Sequence, residues 1–307
     1  MLDLLNPALR DRQHPLAQSF QSARPFKHVV IDDFLRADYC RELMDQFPNF
    51  TAEKARNEFG EVGRKAVFQN LPQLGPAYAQ FDQMLQANDF RAFIGRITGI
   101  PDLIYDPEYI GGGTHENLNG QDLDSHVDFN YHPTRRYHRR LNLIVFLNPQ
   151  WREDWGGCLE LELDPALPPD ENQVISVSPE ANRCVIFETT ERSWHGFRRI
   201  QIPPEQTGIS RRSIAVYYYT KTRPRDEAAP SHGTIYIQRP LPEHIRAGHT
   251  LTASDVRSLQ TLLERRDKQM AFLYERELEF SRIAQSPTFR AVRLLTWPLR
   301  KLRDLRS

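Results

Sequence analysis

Four side chains of this sequence can bind a metal ion or an anion, and they are His126, Asp128, His195 and Arg211. Two imidazoles and one carboxylate form the ligand set that holds non-haem Fe(II) on one face and leaves its other positions open. The open positions suit a bidentate 2-oxo acid together with O₂. An arginine at the start of a β-rich run supplies a fixed cation for the second carboxylate of such a cosubstrate. The residue types therefore predict an iron-dependent oxidation, but they do not identify its substrate.

Strand geometry explains the spacing of the first two candidate ligands. Side chains at i and i+2 of a strand point to the same face, so His126 and Asp128 converge while Val127 faces away. His195 lies much further along the chain and must come from a different strand. The pattern predicts a metal site that two strands build together.

The run at 211–219 begins with two arginines, and strand alternation distinguishes them. Arg211 shares a face with Ser213, so a guanidinium and a hydroxyl can bind one carboxylate together. Arg212 lies on the other face. Parity therefore selects Arg211 for the anion, and its face continues with Ala215, Tyr217 and Tyr219.

Each of these signals is weak alone, because His-x-Asp tripeptides are common and most histidines are surface or structural residues. Their order gives the prediction its weight: His-x-Asp, a long β-like stretch, Trp-His-Gly, and then Arg-x-Ser in a strand. The other histidines are expected to lie outside the site, and they are His14, His28, His132, His138, His232, His244 and His249.

At these residues the chain resembles the Fe(II)/2-oxoglutarate-dependent dioxygenases, and among them the prolyl 4-hydroxylase-like branch. The similarity covers roughly residues 105–220 and consists of short motifs in a fixed order. They are His-Val-Asp-Phe-Asn at 126–130, Arg-Leu-Asn-Leu-Ile-Val-Phe-Leu-Asn at 140–148, Trp-Gly-Gly-Cys-Leu-Glu-Leu at 155–161, Asn-Arg-Cys-Val-Ile-Phe at 182–187, Trp-His-Gly at 194–196 and Arg-Arg-Ser-Ile-Ala-Val-Tyr-Tyr-Tyr at 211–219.

The resemblance implies a role for each candidate residue. His126, Asp128 and His195 would bind the iron, and Arg211 with Ser213 would bind the distal carboxylate of 2-oxoglutarate. It implies Fe(II), 2-oxoglutarate and O₂ as cofactors, with ascorbate as reductant, and hydroxylation of a C–H bond with release of succinate and CO₂. Related halogenases carry a small residue in place of the carboxylate, so its presence here favours hydroxylation.

The chain departs from the family pattern at two places. The loop at 202–208 lengthens the interval between His195 and Arg211, which a hairpin tolerates. Phe146 stands where related prolyl hydroxylases have a tyrosine that helps bind the cosubstrate. We expect His115 or Asn142 to replace the missing hydroxyl, because their strands should face the same pocket.

The elements around these motifs predict a mainly β fold with flanking helices. Apolar residues at helical spacing indicate helices within 35–47 and 76–99, which would support the β core. From about residue 105, short apolar runs alternate with turn residues, which is typical of a double-stranded β-helix, or jelly-roll. These runs are 141–147, 158–163, 173–178, 183–187 and 211–219.

The sequence suggests three parts: an N-terminal polar lead at 1–24, an oxygenase domain at 25–250 with its core at 105–220, and a C-terminal helical extension at 251–307. An interrupted apolar stripe in the extension indicates a helix that packs on the body or pairs as a short coiled coil. Its last segment, 286–307, is basic and amphipathic, which fits either a partner-bound helix or peripheral contact with an anionic membrane.

Composition excludes several function classes. The formal net charge is zero, from 40 basic and 40 acidic residues, so bulk charge gives no reason to expect a nucleic-acid partner. The three cysteines have no paired spacing and suit a reducing compartment. Residues 1–24 do not resemble a secretory leader and no apolar run is long enough to span a bilayer, so we expect a cytoplasmic protein, with peripheral contact at the inner membrane surface as the open alternative.

The substrate stays open at this point. A prolyl or amino-acid-type substrate follows from the resemblance, and a small metabolite or glycan precursor is the alternative. His132, Arg135, Arg136, Tyr137 and Arg139 follow Asp128 closely and are candidates to meet an anionic substrate. Two other classes compete with the oxygenase: a non-catalytic metal-containing jelly-roll binding module, and a hydrolase or isomerase with another metal. Neither of them needs the pair of Arg211 and Ser213.

Overall fold

The computed structural model describes residues 2–49, 65–168, 170–206, 208–237, 241 and 244–289. The chain divides into two compact units, Met1–Arg239 and Pro240–Ser307. The first unit carries all of the described strands and the second carries one long helix.

Two antiparallel sheets form the first unit. Their strands are β1 (His28–Ile31), β2 (Lys65–Phe68), β3 (Ile104–Tyr105), β4 (Gly113–Asn117), β5 (Leu123–Val127), β6 (His138–Phe146), β7 (Leu159–Glu162), β8 (Val174–Val177), β9 (Cys184–Glu188), β10 (Trp194–Phe197), β11 (Arg211–Thr220) and β12 (Ile235–Ile237). The larger sheet has the order β1-β9-β6-β11-β4-β2, with β3 pairing β11, and the smaller has the order β12-β5-β10-β7-β8. This is the predicted jelly-roll architecture.

Helices cover one face of the larger sheet. They are α1 (Gln13–Ser22), α2 (Ala37–Asp45), α3 (Pro76–Gln86) and α4 (Asn88–Thr98). Alternate residues of β6 and β11, such as Leu143 and Val216, share one buried cluster with Phe81 and Phe93 of these helices. The opposite faces of the same strands are therefore free to point toward the smaller sheet, where the candidate ligands lie.

The N-terminal segment is more than a polar lead. Leu9, Leu16 and Phe20 are buried in the same cluster as the helices and the larger sheet. The two residues of α1 lie at i and i+4, so a single apolar stripe suffices to pack a helix that is otherwise polar. Residues 1–24 therefore contribute to the core, which the low overall hydropathy of the segment conceals.

A second apolar cluster occupies part of the space between the two sheets. Phe146 and Phe187 of the larger sheet pack there against Leu159 and Leu161 of the smaller one. All four residues are buried. This cluster closes one side of the space in which the polar residues of the site converge.

The second unit contains α5 (Ala253–Gln285), a helix of 33 residues. It begins with a capping box, in which Thr252 accepts a hydrogen bond from the Asp255 backbone and the Asp255 side chain accepts one in return. The predicted helical extension is thus present, and the basic segment at 290–307 lies outside the described residues. Among the described helices, none is long and apolar enough to cross a membrane.

Candidate metal centre

The three predicted ligands meet in the structure. β5 and β10 are neighbours in the smaller sheet, and His126 lies directly opposite His195 in their register. Asp128 is the first residue after β5, and its carboxylate lies 3.8 Å from His126 Nε2 and 3.5 Å from His195 Nε2. One ligand atom from each residue lies within 4.8 Å of the others. This spacing suits donors that surround a single metal ion.

Backbone carbonyls fix both imidazoles. His126 Nδ1 lies 2.9 Å from the Asp124 carbonyl, and His195 Nδ1 lies 2.9 Å from the Ser193 carbonyl. A ring nitrogen that donates to a carbonyl carries the proton, which leaves the lone pair on Nε2. Both Nε2 atoms are the ones that face Asp128. The two histidines are therefore held in the tautomer that a metal requires.

The glycine after His195 allows its strand to approach β5. A Cβ at Gly196 would lie 2.6 Å from the Leu123 carbonyl oxygen and 3.1 Å from Asp124. The register between the two strands also shifts between His195 and Phe197. Only glycine fits this close approach, which accounts for the third residue of the Trp-His-Gly motif.

Two donors hold the Asp128 carboxylate. Arg139 Nη2 donates to Asp128 Oδ2 at 2.9 Å, and Asn142 Nδ2 donates to the same oxygen at 2.8 Å. Burial raises the pKa of the Asp128 carboxyl, but Arg139, the two histidines and the Asn142 hydrogen bond outweigh it and hold the pKa well below its usual range. The carboxylate is thus anionic and oriented without a metal, with Oδ1 free of both donors.

Arg139 reaches this carboxylate because of a β-bulge. The partners of Tyr218 and Tyr219 in β6 are Leu141 and Arg139, so Arg140 is an extra residue in the strand. Strict alternation would have placed Arg139 on the helix side with Leu141, and the bulge turns it toward the site. The sequence suggested Arg139 for an anionic substrate and did not predict its bond to Asp128, since no local pattern reveals a bulge.

Aromatic rings and an amide complete the surroundings of Arg139. Its guanidinium carbon lies 4.5 Å from the Phe129 ring and 3.5 Å from the Tyr217 ring. Its Nε and Nη2 donate to Asn142 Oδ1 at 3.1 Å and 2.7 Å. Of its nitrogens, only Nη1 lacks a partner among the described residues. Asn142 therefore links Arg139 to Asp128 in a small closed network.

Arg211 lies in a different environment. It is buried, and its guanidinium carbon lies 4.3 Å from the Phe197 ring and 5.1 Å from the Phe146 ring. Its Nε donates to the Gly157 carbonyl at 2.6 Å. No carboxylate of the described residues pairs with it, and burial lowers its pKa to about 10. A buried cation without an anion is costly, so this arginine has the character of an anion-binding group.

The predicted neighbours of Arg211 lie around it in the larger sheet. Ser213 pairs with His115 of β4 on one side and with Phe146 of β6 on the other. All three are buried, and the Ser213 hydroxyl makes no hydrogen bond within the described part of the chain. The structure thus brings His115 beside Ser213, whereas the Asn142 amide is engaged with Asp128 and Arg139. The cosubstrate roles assigned to His115 and Asn142 stay predictions.

Arg212 points to the other face of β11. Its guanidinium carbon lies 5.1 Å from the Phe47 ring, and its Nε donates to Glu116 at 3.2 Å. The alternation that the sequence predicted for the two arginines is therefore present in the strand.

The remaining basic residues after Asp128 have partners within the protein. His132 is buried, with Nε2 3.4 Å from Asp106, and Arg135 pairs with Glu108 at 2.8 Å. Arg136 stacks on the ring of Tyr131 at 5.0 Å and donates to Ser231. These contacts tie loops together, so they give little support to the expectation that this cluster binds an anionic substrate.

The chain matches a family model described as the 2OG-Fe(II) oxygenase superfamily over residues 113–219. The matched segment runs from β4 into β11 and includes the three candidate ligands and Arg211. The prediction of a 2-oxoglutarate/Fe(II) oxygenase is confirmed at the level of this family match. Fe(II), 2-oxoglutarate and O₂ are the cofactors of that superfamily.

Relatives of known name carry the same resemblance. The mouse (Mus musculus) prolyl 3-hydroxylase OGFOD1 is 25% identical over 244 residues, which cover 74% of this chain and 38% of the mouse protein. The chain thus spans less than two fifths of that relative. Among solved structures, a Trichoplax adhaerens prolyl hydroxylase in complex with a hypoxia inducible factor peptide fragment is 18% identical with a TM-score of 0.47, over 71% of this chain and 96% of that one. A Pseudomonas putida prolyl-4-hydroxylase is 16% identical with a TM-score of 0.40, over 68% and 95%.

Proposed function

We propose that this member of the 2OG-Fe(II) oxygenase superfamily is a hydroxylase that inserts oxygen into an unactivated C–H bond and releases succinate and CO₂. His126, Asp128 and His195 are the proposed iron ligands. Arg211 and Ser213 are the proposed site for the distal carboxylate of 2-oxoglutarate. A non-catalytic binding module with the same metal is the competing function.

The observation that carries this proposal is the buried cation of Arg211, which has no carboxylate partner in the part of the chain that the structure describes. Its guanidinium lies over the ring of Phe197, which is two residues from His195 on the same face of β10. A metal-only hydrolase or a structural metal site gains nothing from an arginine that lacks an anion at this position. A dicarboxylate that binds a metal through its 2-oxo acid end carries a second carboxylate, which needs a cation. The charge of Arg211 therefore favours a 2-oxo dicarboxylate as the second ligand of the site.

The chain's own residues supply geometry and exclude water. Arg139 and Asn142 hold Asp128 Oδ2, and the carbonyls of Asp124 and Ser193 hold the two imidazoles. When bound, iron with 2-oxoglutarate and O₂ supplies the oxidising chemistry. Phe146, Phe187 and Phe197 line the space between the sheets, and their burial strengthens every polar contact there.

We infer a prolyl or amino-acid-type substrate in preference to a glycan precursor or another small metabolite. The curated relative is named a prolyl 3-hydroxylase, and this supports the choice without extending to the rest of that protein. Aromatic residues also lie beside the ligands: the Tyr236 ring lies 5.1 Å from the His126 ring, and Phe129 and Tyr217 flank Arg139. Apolar rings of this kind can pack against the apolar face of a pyrrolidine ring.

We further infer that the catalytic part of the chain is 25–250 and that it works in the cytoplasm with ascorbate as reductant. Cys40, Cys158 and Cys184 are free and buried, which suits a reducing compartment.

The test compares two adjacent arginines. Anaerobic protein is loaded with Fe(II) and titrated with 2-oxoglutarate, and the visible charge-transfer band of the chelate is followed. Arg211→Met is expected to abolish the band, and Arg212→Met, on the other face of β11, is expected to keep it. Succinate is then measured with O₂ and ascorbate against prolyl peptides, free amino acids and sugars. Absence of the band in the unmodified protein would support the binding module instead.

A further inference from the structure

The long helix of the second unit has an exposed apolar face. Of the residues of α5, all of which are described, only Asp255 is buried. Nine large apolar residues of the helix are between 38% and 64% exposed, and they include Val256, Leu263, Met270, Leu273 and Phe280. A helix of this length takes most of its stability from packing such a face. Continuous exposed apolar surface of this kind indicates an interaction surface.

Six large apolar residues of the helix fit a heptad repeat, whereas Phe272, Tyr274 and Leu278 lie outside its a and d positions. Positions a are Val256, Leu263, Met270, Glu277 and Ala284, and positions d are Leu259, Arg266, Leu273 and Phe280. This alternating spacing of three and four residues is the pattern of a coiled-coil seam, since it keeps one narrow stripe facing a partner helix. The seam spans nearly all of α5 and contains two charged residues.

The two charged residues decide the orientation of the partner. In a parallel pair, residues of the same number face each other, so Arg266 would meet Arg266 and Glu277 would meet Glu277. In an antiparallel pair, an a residue faces a d residue of the other helix, and Arg266 can face Glu277. Among the described residues neither side chain has an ion-pair partner, and Glu277 accepts one hydrogen bond, from the Ser281 hydroxyl at 3.3 Å. Charge complementarity therefore favours a second copy of the same helix in the antiparallel orientation.

We propose that α5 is a homodimerisation helix that binds the α5 of a second copy as an antiparallel coiled coil. Placing Arg266 opposite Glu277 fixes the register of the whole seam. The other layers are then Leu259 with Ala284, Leu263 with Phe280, and Met270 with Leu273, each occurring twice by the two-fold axis. Every layer pairs an a residue with a d residue.

The flanking positions agree with this register. Leu262 precedes an a residue and would lie beside Ile283 of the second copy, which also precedes an a residue. Ile283 is 51% exposed in the single chain. A second apolar contact at the edge of the seam is thus added without any like-charge contact. The arrangement is isologous, as expected for a two-fold dimer.

Charge reversal tests the pairing of Arg266 with Glu277. Sedimentation equilibrium of the full-length protein is expected to give a dimer. R266E and E277R alone are each expected to weaken dimerisation by about a hundredfold, because like charges then meet in the seam. The combined variant R266E/E277R is expected to regain the dimer, since it restores both pairs with their signs exchanged. A monomeric unmodified protein, or a combined variant no better than the single ones, overturns the proposal.

Cysteine cross-linking tests the orientation independently. The native cysteines are buried, so an introduced surface thiol dominates the reaction. A chain with both Leu263→Cys and Phe280→Cys is expected to form a covalent dimer under mild oxidation, whereas Leu263→Cys alone is expected to stay uncross-linked. Efficient cross-linking of the single variant would indicate a parallel pair and contradict the proposal. Circular dichroism of each variant establishes that the helix is retained.

Discussion

The two ends of the candidate site each contain a buried arginine, and the two arginines have opposite surroundings. At one end, Arg139 is bonded to Asp128 and Asn142 and lies between two aromatic rings. Burial lowers its pKa, but Asp128 more than compensates, and the pKa is raised. At the other end, Arg211 has one backbone carbonyl as its partner, and burial lowers its pKa to about 10.

This difference shows which charged groups of the site have their partners within the described part of the protein. The Asp128 end is a closed network that holds a metal ligand in place before any metal arrives. The Arg211 end is open, because no carboxylate of the described residues pairs with this cation and a ligand can supply the anion. We expect such a site to bind a metal through the three candidate ligands and a dicarboxylate cosubstrate through the guanidinium of Arg211.

The largest effect is expected from a substitution that removes Asp128, the candidate metal ligand at the closed end. Asp128→Ala is expected to lower metal affinity by more than about a hundredfold, the loss that outer-shell partners alone can cause. Succinate formation is expected to disappear with it. Calorimetric titration with Mn(II) as a redox-stable substitute measures the affinity. Iron-dependent turnover at the normal rate in this variant would refute the ligand assignment.

At the closed end, we also expect the substitution of Arg139 to destabilise the folded protein. Arg139→Met leaves the buried Asp128 carboxylate without its cation, and the free energy of unfolding is expected to fall by about 3–5 kcal/mol. Arg135→Met is the matched control, because its ion pair with Glu108 is exposed and such pairs contribute little to stability. Urea unfolding of the metal-free proteins gives both values. Equal losses in the two variants would contradict the network described for Arg139.

The backbone carbonyl of Gly157 accepts the hydrogen bond that holds Arg211 at the open end. Its φ is +69°, and an added Cβ would lie 2.8 Å from the Trp151 ring and 3.4 Å from Arg211. Gly157→Ala is expected to cost about 1–3 kcal/mol of stability and to displace the carbonyl that holds Arg211. Gly120→Ala is a useful comparison, since its φ is also positive but nothing lies within 4 Å of its Cβ. A larger cost at Gly120 than at Gly157 would argue against the packing described.

At the open end, we expect the substitution of Arg211 to leave the free energy of unfolding nearly unchanged, in contrast to the substitution of Arg139. Arg211→Met removes an unpaired buried cation, so the metal-free protein is expected to keep its stability within about 1 kcal/mol or to gain some. The unmodified metal-loaded protein is expected to gain about 2.7 kcal/mol from 2-oxoglutarate at a hundred times its Kd, and this gain is expected to vanish in the variant. Thermal unfolding with and without the ligand measures both effects. A large loss in the ligand-free variant would mean that Arg211 is structural.

The smallest effect is a pH dependence at the closed end. The pKa of Asp128 is depressed in the folded protein, so its contribution to stability is present above the unfolded value near pH 4 and is lost as the pH falls further. The metal-free protein is therefore expected to lose stability more steeply than Asp128→Asn below about pH 4. Identical slopes in the two proteins would show that Asp128 is not held as an anion.

The features that follow from strand alternation could be predicted from the sequence alone. It paired His126 with Asp128, and it placed Arg211 and Ser213 on one face and Arg212 on the other, as the structure has them. It also predicted the helices of 76–99 from a local apolar stripe. These features depend on the backbone geometry of one segment, which a short run of residues specifies.

The contacts between those segments became known only from the tertiary structure. The bulge that turns Arg139 toward Asp128, the engagement of Asn142 with both, and the carbonyl of Gly157 beside Arg211 each depend on a second strand or loop. The burial of Leu16 and Phe20 in an otherwise polar N-terminal helix depends in the same way on surfaces supplied from elsewhere in the chain. Periodicity fixes the direction of a side chain, whereas its partner is fixed by contacts between residues far apart in sequence, which no local pattern encodes.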